Sequence, residues 1–217
     1  MHANDAVEAS TPDGNVQRLL EQIGASWMSQ AIGVAAELQL ADRLAAGPKS
    51  APVLATETGC HAEALRRLMH ALTSLEIFEE RADGCFALAD AGRHLCSNAP
   101  HSLRHWAIWC GRYHWPVWAG LLESVRTGRS ARQLSGTDGG ASGYGHIERD
   151  PRGAAVFNQA MVEITGLVAA GLVGAYDWRQ VGHVVDVGGG YGGVIATLLL
   201  AQPGLRGTLF DLPHAMD

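Results

Sequence analysis

The sequence predicts two units in series: a mainly α N-terminal unit with a winged-helix plan, then the opening of a Rossmann-like α/β domain. Three observations carry this. Apolar residues recur at three- and four-residue spacing over residues 16–40 and 62–75, the mark of helices with one buried face. Ile77 to Glu80 and Cys85 to Leu88 flank Asp83-Gly84, a strong hairpin signal. Val184 to Leu200 pass from a β-branched run through a glycine cluster into an apolar helix, which predicts strand, tight turn and helix.

Composition narrows the function classes. The chain has 217 residues, 47% of them hydrophobic and 18% charged, with a net charge of -6. That is enough for one or two domains with a core. The acidic balance argues against a large nucleic-acid footprint. Cys60, Cys85, Cys96 and Cys110 show no C-x-x-C spacing, so reduced thiols are expected. Met1 to Asn15 is polar, so no secretory leader is expected there. No apolar stretch long enough to span a bilayer is expected either. Together these predict a cytoplasmic protein.

Residues 1–14 are expected to form an unstructured lead, and 15–127 the helical domain. Val16, Leu19, Leu20 and Ile23 share a helix face, continued by Met28, Ile32, Ala35, Leu38 and Leu40. Gly24 and Gly33 are expected to break or bend this helix. Ser50 can cap a helix over Val53 to Ala55, which stops at Thr58-Gly59. Leu65, Leu68, Met69, Leu72 and Leu75 form the stripe of the next helix. Helix, helix and hairpin make the winged plan, for which DNA binding is one use. Arg66, Arg67 and Arg81 could meet phosphate, but basic residues are sparse. His101 and His105, four apart, could share a helix face as metal ligands do. No acid or cysteine completes a site, and no metal is expected. Trp106, Trp109, Tyr113, His114, Trp115 and Trp118 predict a helical hairpin broken near Pro116. They fit a packed core or the wall of a pocket for a flat ligand.

Residues 128–149 are rich in Gly and Ser and are expected to link the domains. The second domain spans 150–217. Asp150-Pro151 restarts a helix, as N-cap and first position. In Val184-Val185-Asp186-Val187-Gly188-Gly189-Gly190-Tyr191-Gly192-Gly193 the helix is expected to begin after Gly190. Gly188, Gly190 and Gly193 formally match the dinucleotide pattern G-x-G-x-x-G. Asp186 argues against it, because a carboxylate before the loop repels a pyrophosphate. It would hold a cation instead. S-adenosylmethionine has an ammonium and a sulfonium and no phosphate. Asp211 ends the second strand, where an acid can accept hydrogen bonds from ribose hydroxyls.

Phe157-Asn158-Gln159-Ala160-Met161, the glycine loop, Gln202-Pro203-Gly204-Leu205 and Phe210-Asp211-Leu212-Pro213-His214 resemble one family. It is the S-adenosylmethionine-dependent small-molecule O-methyltransferases of plant caffeate and bacterial polyketide-tailoring type, matched from about Gln17 to Asp217. The resemblance implies a small aromatic hydroxyl compound as acceptor. It implies a homodimer interlocked through the N-terminal helices, with the winged module as scaffold. It places the cofactor on Gly188, Asp211, Asp186 and Gly190, with Leu212 near the adenosine and Thr165 nearby. Phe157 and Met161 match acceptor-pocket positions, and the segment with Trp109, Tyr113 and His114 lies beside the acceptor. The family's general-base histidine is expected beyond Asp217. None of the ten histidines matches it, His214 included, so no catalytic residue is assigned.

The resemblance leads one to expect later strands, and Val184, Val185 and Val187 read as a strand covered on both faces. A sheet stopping at two parallel strands should leave an edge and apolar surface open. A second chain could supply the remainder. The chain alone is expected to be inactive. Two other function classes remain: a non-catalytic dimerisation scaffold, and a nicotinamide-dependent oxidoreductase.

Overall fold

The computed structural model describes residues 13–134 and 150–212. Helix α1 (Gly14–Glu37) is unbroken, and the Asp13 carboxylate caps it through the Asn15 amide. The helix therefore takes in Gly14, which was expected to belong to the lead; residues 1–12 lie outside the described residues. Neither Gly24 nor Gly33 interrupts the helix. A Cβ on Gly33 would lie 3.0 Å from the Ala107 carbonyl oxygen and 3.1 Å from Gly111 Cα. The glycine serves a close helix crossing, and the packing gained offsets its helix-propensity cost of about 1 kcal/mol. Gln39 takes φ 55°, so Leu40 belongs to a separate short helix, α2 (Leu40–Leu44).

The winged plan forms. After β1 (Lys49–Ser50) come α3 (Ala51–Thr58), α4 (Ala62–Ser74), β2 (Phe78–Glu80) and β3 (Cys85–Leu88). The strands pair antiparallel in the order β1-β3-β2. Ser50 holds the N-cap position of α3, but its side chain makes no capping bond. Gly59 ends α3 at φ 69°. Arg81 donates its amide to the Cys85 carbonyl, and Gly84 donates to Arg81. The hairpin loop therefore has three residues, with Gly84 at φ 75°. Leu40, Leu54, Met69, Leu72, Phe78 and Phe86 form the fully buried centre. Each such side chain contributes about 1.5–3 kcal/mol of burial.

Helix α5 (Arg104–Ile108) continues through a π-helical turn (Trp109–His114) into α6 (Trp115–Trp118). Pro116 stands in the first turn of α6 and breaks nothing, correcting the expected break there. The chain turns at Ala119-Gly120 instead, into α7 (Leu121–Thr127) and α8 (Ala131–Leu134). His101 precedes α5 at φ 55°, so it does not share a helix face with His105. The expected linker is helical at α8, and its residues 135–149 lie outside the described residues.

Helix α9 (Pro151–Ala175) is capped by Asp150, whose carboxylate accepts the Gly153 amide at 3.0 Å. By length and a mean hydropathy of 1.5, α9 could cross a membrane. That overturns the expectation that no stretch was apolar enough, because small and aliphatic residues fill nearly every turn. Its first half instead packs Val156 and Ala160 against Ala36, Ile108 and Trp109. Strand β4 (His183–Val187), helix α10 (Gly193–Ala201) and β5 (Arg206–Phe210) follow. The strands are parallel, from His183 opposite Arg206 to Val187 opposite Phe210. Helix α10 starts at Gly193, two residues later than expected, because Gly192 at φ 74° keeps the loop turning. Its Ile195 and Leu198 are buried. Val187 and Phe210 are 73% and 64% exposed, so the sheet is not covered on both faces among the described residues. The open apolar surface matches the expectation for a two-stranded sheet.

Candidate functional site

A cleft of ≈ 350 Å³ separates α9 from the glycine loop. Phe157, Asn158, Met161 and Thr165 form the α9 wall; Asp186, Gly188 to Tyr191, Asp211 and Leu212 face them. All six residues expected at the cofactor, Asp186, Gly188, Gly190, Asp211, Leu212 and Thr165, border the cleft or lie in it. This follows from the topology. Both parallel strands end on the same side, so the acids at their carboxyl ends come together under the loop.

The loop is built for close backbone approach. Gly190 has φ 53°, which favours glycine. At Gly189 a Cβ would sit 2.5 Å from Asp186 Cγ and 2.5 Å from Leu209 Cδ1, so no larger residue fits. The Gly190 amide donates to Asp211 Oδ2 at 2.6 Å, and the Leu212 amide donates to Asp211 Oδ1 at 2.6 Å. A carboxylate offers about four acceptor sites, so each oxygen keeps one for a ligand hydroxyl. Asp186 Oδ2 is buried and takes no hydrogen bond. A buried polar atom without a hydrogen-bond partner costs free energy, and a cation reaching this carboxylate from the cleft would offset that. No Lys or Arg lines the cleft among the described residues. The Thr165 hydroxyl donates to the Met161 carbonyl at 2.6 Å and lies beside the start of α10, 3.6 Å from a Cβ built on Gly193.

Of the acceptor-wall candidates, Phe157 and Met161 line the cleft; Trp109, Tyr113 and His114 do not. They stand behind Phe157. Trp109 is buried, 4.9 Å from the Phe157 ring and stacked on Tyr113 at 5.0 Å. Its indole N–H donates to His114 Nε2 at 2.7 Å, so the neutral ring carries its proton on Nδ1. Burial, then the nearby Arg132 charge, lowers the His114 pKa below the usual imidazole value.

Sequence reasoning missed three residues. Asn158 and Tyr191 both line the cleft, and the Asn158 side-chain amide donates to the Tyr191 hydroxyl at 3.1 Å. Tyr191 was visible as the one side chain interrupting the glycines. Glu163, an acid within an apolar helix, reaches across to α5. It accepts the amides of His105 at 3.0 Å and Trp106 at 2.9 Å, and faces His105 Nδ1 at 2.8 Å.

Two acids at the strand ends around a glycine loop, with no cationic side chain in the cleft among the described residues, suit a ligand with a positive head. The donor set fits S-adenosylmethionine better than a pyrophosphate. Family models agree: an O-methyltransferase dimerisation domain matches residues 20–102, and an O-methyltransferase domain matches residues 118–217. The chain belongs to the S-adenosylmethionine-dependent O-methyltransferase family.

It is 37% identical over 196 residues to the phenazine O-methyltransferase PhzM of Lysobacter antibioticus, covering 90% of this chain and 57% of that one. The structure resembles that of LaPhzM with a TM-score of 0.86 at 35% identity, over 94% of this chain and 60% of the other. It also resembles NcsB1 of neocarzinostatin biosynthesis, solved with S-adenosylmethionine and 2-hydroxy-5-methyl naphthoic acid. There the TM-score is 0.70 at 34% identity, over 87% and 57% of the two chains. The chain thus spans a little more than half the length of the curated relatives it matches.

Proposed function

We propose that the cleft binds S-adenosylmethionine and that the chain serves methyl transfer to a hydroxyl of a small aromatic natural product. The observation that carries this is the Asp186 carboxylate opposite the glycine loop, one oxygen of which is buried without a hydrogen bond. Asp186 faces the cationic head. Asp211 accepts the ribose hydroxyls with its two remaining acceptor sites. Gly188 and Gly190 let the backbone close on the ligand, Leu212 covers the adenosine, and Thr165 flanks it. Phe157 and Met161 hold the aromatic acceptor, and Trp109, Tyr113 and His114 fix the Phe157 ring from behind. When bound, the cofactor supplies an electrophilic methyl group. The protein's part is then alignment of acceptor and donor in a cleft that excludes water. No histidine lines the described cleft, so the described residues supply binding without an imidazole base. In this reading residues 15–127 form the dimerisation domain and residues 150–217 the first part of a Rossmann-like domain. The protein works as a homodimer in the cytoplasm, its four cysteines free.

Calorimetric titration with S-adenosylhomocysteine and with NAD, each against the purified chain, tests this. Saturable binding of the first and none of the second is expected. Binding of NAD alone would return the oxidoreductase reading. A folded dimer that binds neither would be a scaffold. Methyl transfer to a phenol by the purified 217 residues would overturn the expectation that they lack the base.

A further inference from the structure

We propose that Tyr191 and Asn158 form a latch across the cleft, with Tyr191 as a positioning residue for the glycine loop; this rests on the cleft being the cofactor site. From Gly188 to Gly193 the loop carries one side chain, that of Tyr191. Gly188, Gly190 and Gly192 all have positive φ, at 76°, 53° and 74°. Such a loop has many accessible conformations, and something must select one.

Its backbone is held from its own side. Gly188 donates to the Phe210 carbonyl at 2.8 Å, Gly190 to Asp211 at 2.6 Å, and Gly192 to the Gly189 carbonyl at 2.9 Å. These bonds fix the loop to β5 and to itself. The bond from Asn158 to the Tyr191 hydroxyl differs in kind. At 3.1 Å it joins residues 33 apart in sequence and ties the loop to the opposite wall.

Asn158 stands next to Phe157 on the acceptor wall, and Tyr191 is next to Gly190 on the cofactor wall. The latch therefore runs from one ligand's wall to the other's. Tyr191 is 47% exposed, so water competes for the bond and it can open. A loop tied across its cleft is preordered for a ligand and slower to release it.

Three variants test this: Tyr191→Phe, which keeps the ring and loses the hydroxyl, Asn158→Ala, and the double variant. The first readout is amide hydrogen exchange of the ligand-free chain. Each single variant should exchange Gly188–Gly193 amides about three- to tenfold faster, since one hydrogen bond is lost. The double variant should go no further, because the second change removes nothing that remains. Amides of α4 should be unchanged. Loop exchange within about twofold of the parent, additive effects, or equal acceleration in α4 would each overturn the latch.

The second readout is stopped-flow release of S-adenosylhomocysteine. Release should quicken about three- to tenfold while association stays within about twofold. Unchanged release would overturn the positioning role. A parent chain that binds no S-adenosylhomocysteine would count against the cofactor reading, while the exchange measurement still decides the latch.

Discussion

At the residue scale the two acids of the cleft behave differently, and their amide variants should separate them. Asp211 is satisfied by two backbone amides. In Asp211→Asn a side-chain NH2 must face one of those N–H groups, so the loop loosens and the charge is lost. S-adenosylhomocysteine affinity should fall about tenfold or more, the worth of a charge-assisted hydrogen bond, as calorimetry would read. Asp186 leaves an oxygen buried and unpaired. Asp186→Asn should weaken binding too, yet raise the stability of the free chain by about 1 kcal/mol in urea unfolding. A third variant addresses His114, whose pKa is lowered by burial and then by Arg132. The unfolded chain therefore binds a proton at a higher pH than the folded one does. Stability from this group is full above the usual imidazole value and falls as pH drops through it toward the lowered one. Protonation also ends the acceptance of the Trp109 N–H. Urea midpoints measured from pH 7.5 down to 5 should decline less in His114→Gln than in the parent. The two acids were legible in the sequence because Asp186 closes an apolar strand before the glycines and Asp211 directly follows a second apolar strand. The latch was not, since a contact over 33 residues leaves no local pattern. Trp109, Tyr113 and His114 looked like a pocket wall by composition, but α9 sets Phe157 in front of them.

At the scale of elements, the join between α5 and α9 carries a prediction. Helix α5 begins at Arg104; Ser102 Oγ accepts the Arg104 amide at 3.3 Å, but the N-cap residue Leu103 has no polar side chain to cap the next two amides. Glu163, 58 residues beyond His105, supplies that cap by accepting the His105 and Trp106 amides while its side chain is only 9% exposed. A cap from another helix fixes the angle between the two as well as the helix end. Glu163→Ala should cost about 2 kcal/mol in chemical denaturation, the scale of hydrogen bonds to a charged group. Glu163→Gln keeps one acceptor and should cost less. An equal loss in both would mean that charge, not capping, matters there. The elements themselves were largely legible. Apolar spacing found α1, α4 and α9, and Asp83-Gly84 found the hairpin. Where the elements differed from expectation, tertiary contact was the reason. Gly33 reads locally as a breaker, but it meets Gly111 at a helix crossing. Pro116 reads as a break, but it falls just past the π-helical turn, and the chain stays helical to Trp118.

At the scale of the molecule, α1 divides its apolar residues between two jobs. Ala35 and Ala36 are buried in the two cores. Leu19, Leu20, Ile23 and Trp27 point away from both, between 56% and 74% exposed. They are spaced by three and four residues, so they form one stripe on the outer face of one long helix. An exposed apolar stripe of this length is unfavourable in water and marks a contact surface. The stripe also overlaps the dimerisation domain match from residue 20. If the homodimer forms through it, two carboxylates placed there would be desolvated without partners, and association should fail. The parent chain should therefore run at about twice its 23.0 kDa mass in light scattering. Leu20→Glu with Ile23→Glu should shift it toward the single-chain mass with the far-ultraviolet helix signal kept. The α4 core, which α1 touches on its other side, supplies the control: Leu72→Ala should lower stability by about 2–5 kcal/mol without changing the mass. A double variant that remains a dimer would move the interface to another exposed apolar face, such as that of Trp118, Leu122 and Val125 on α6 and α7.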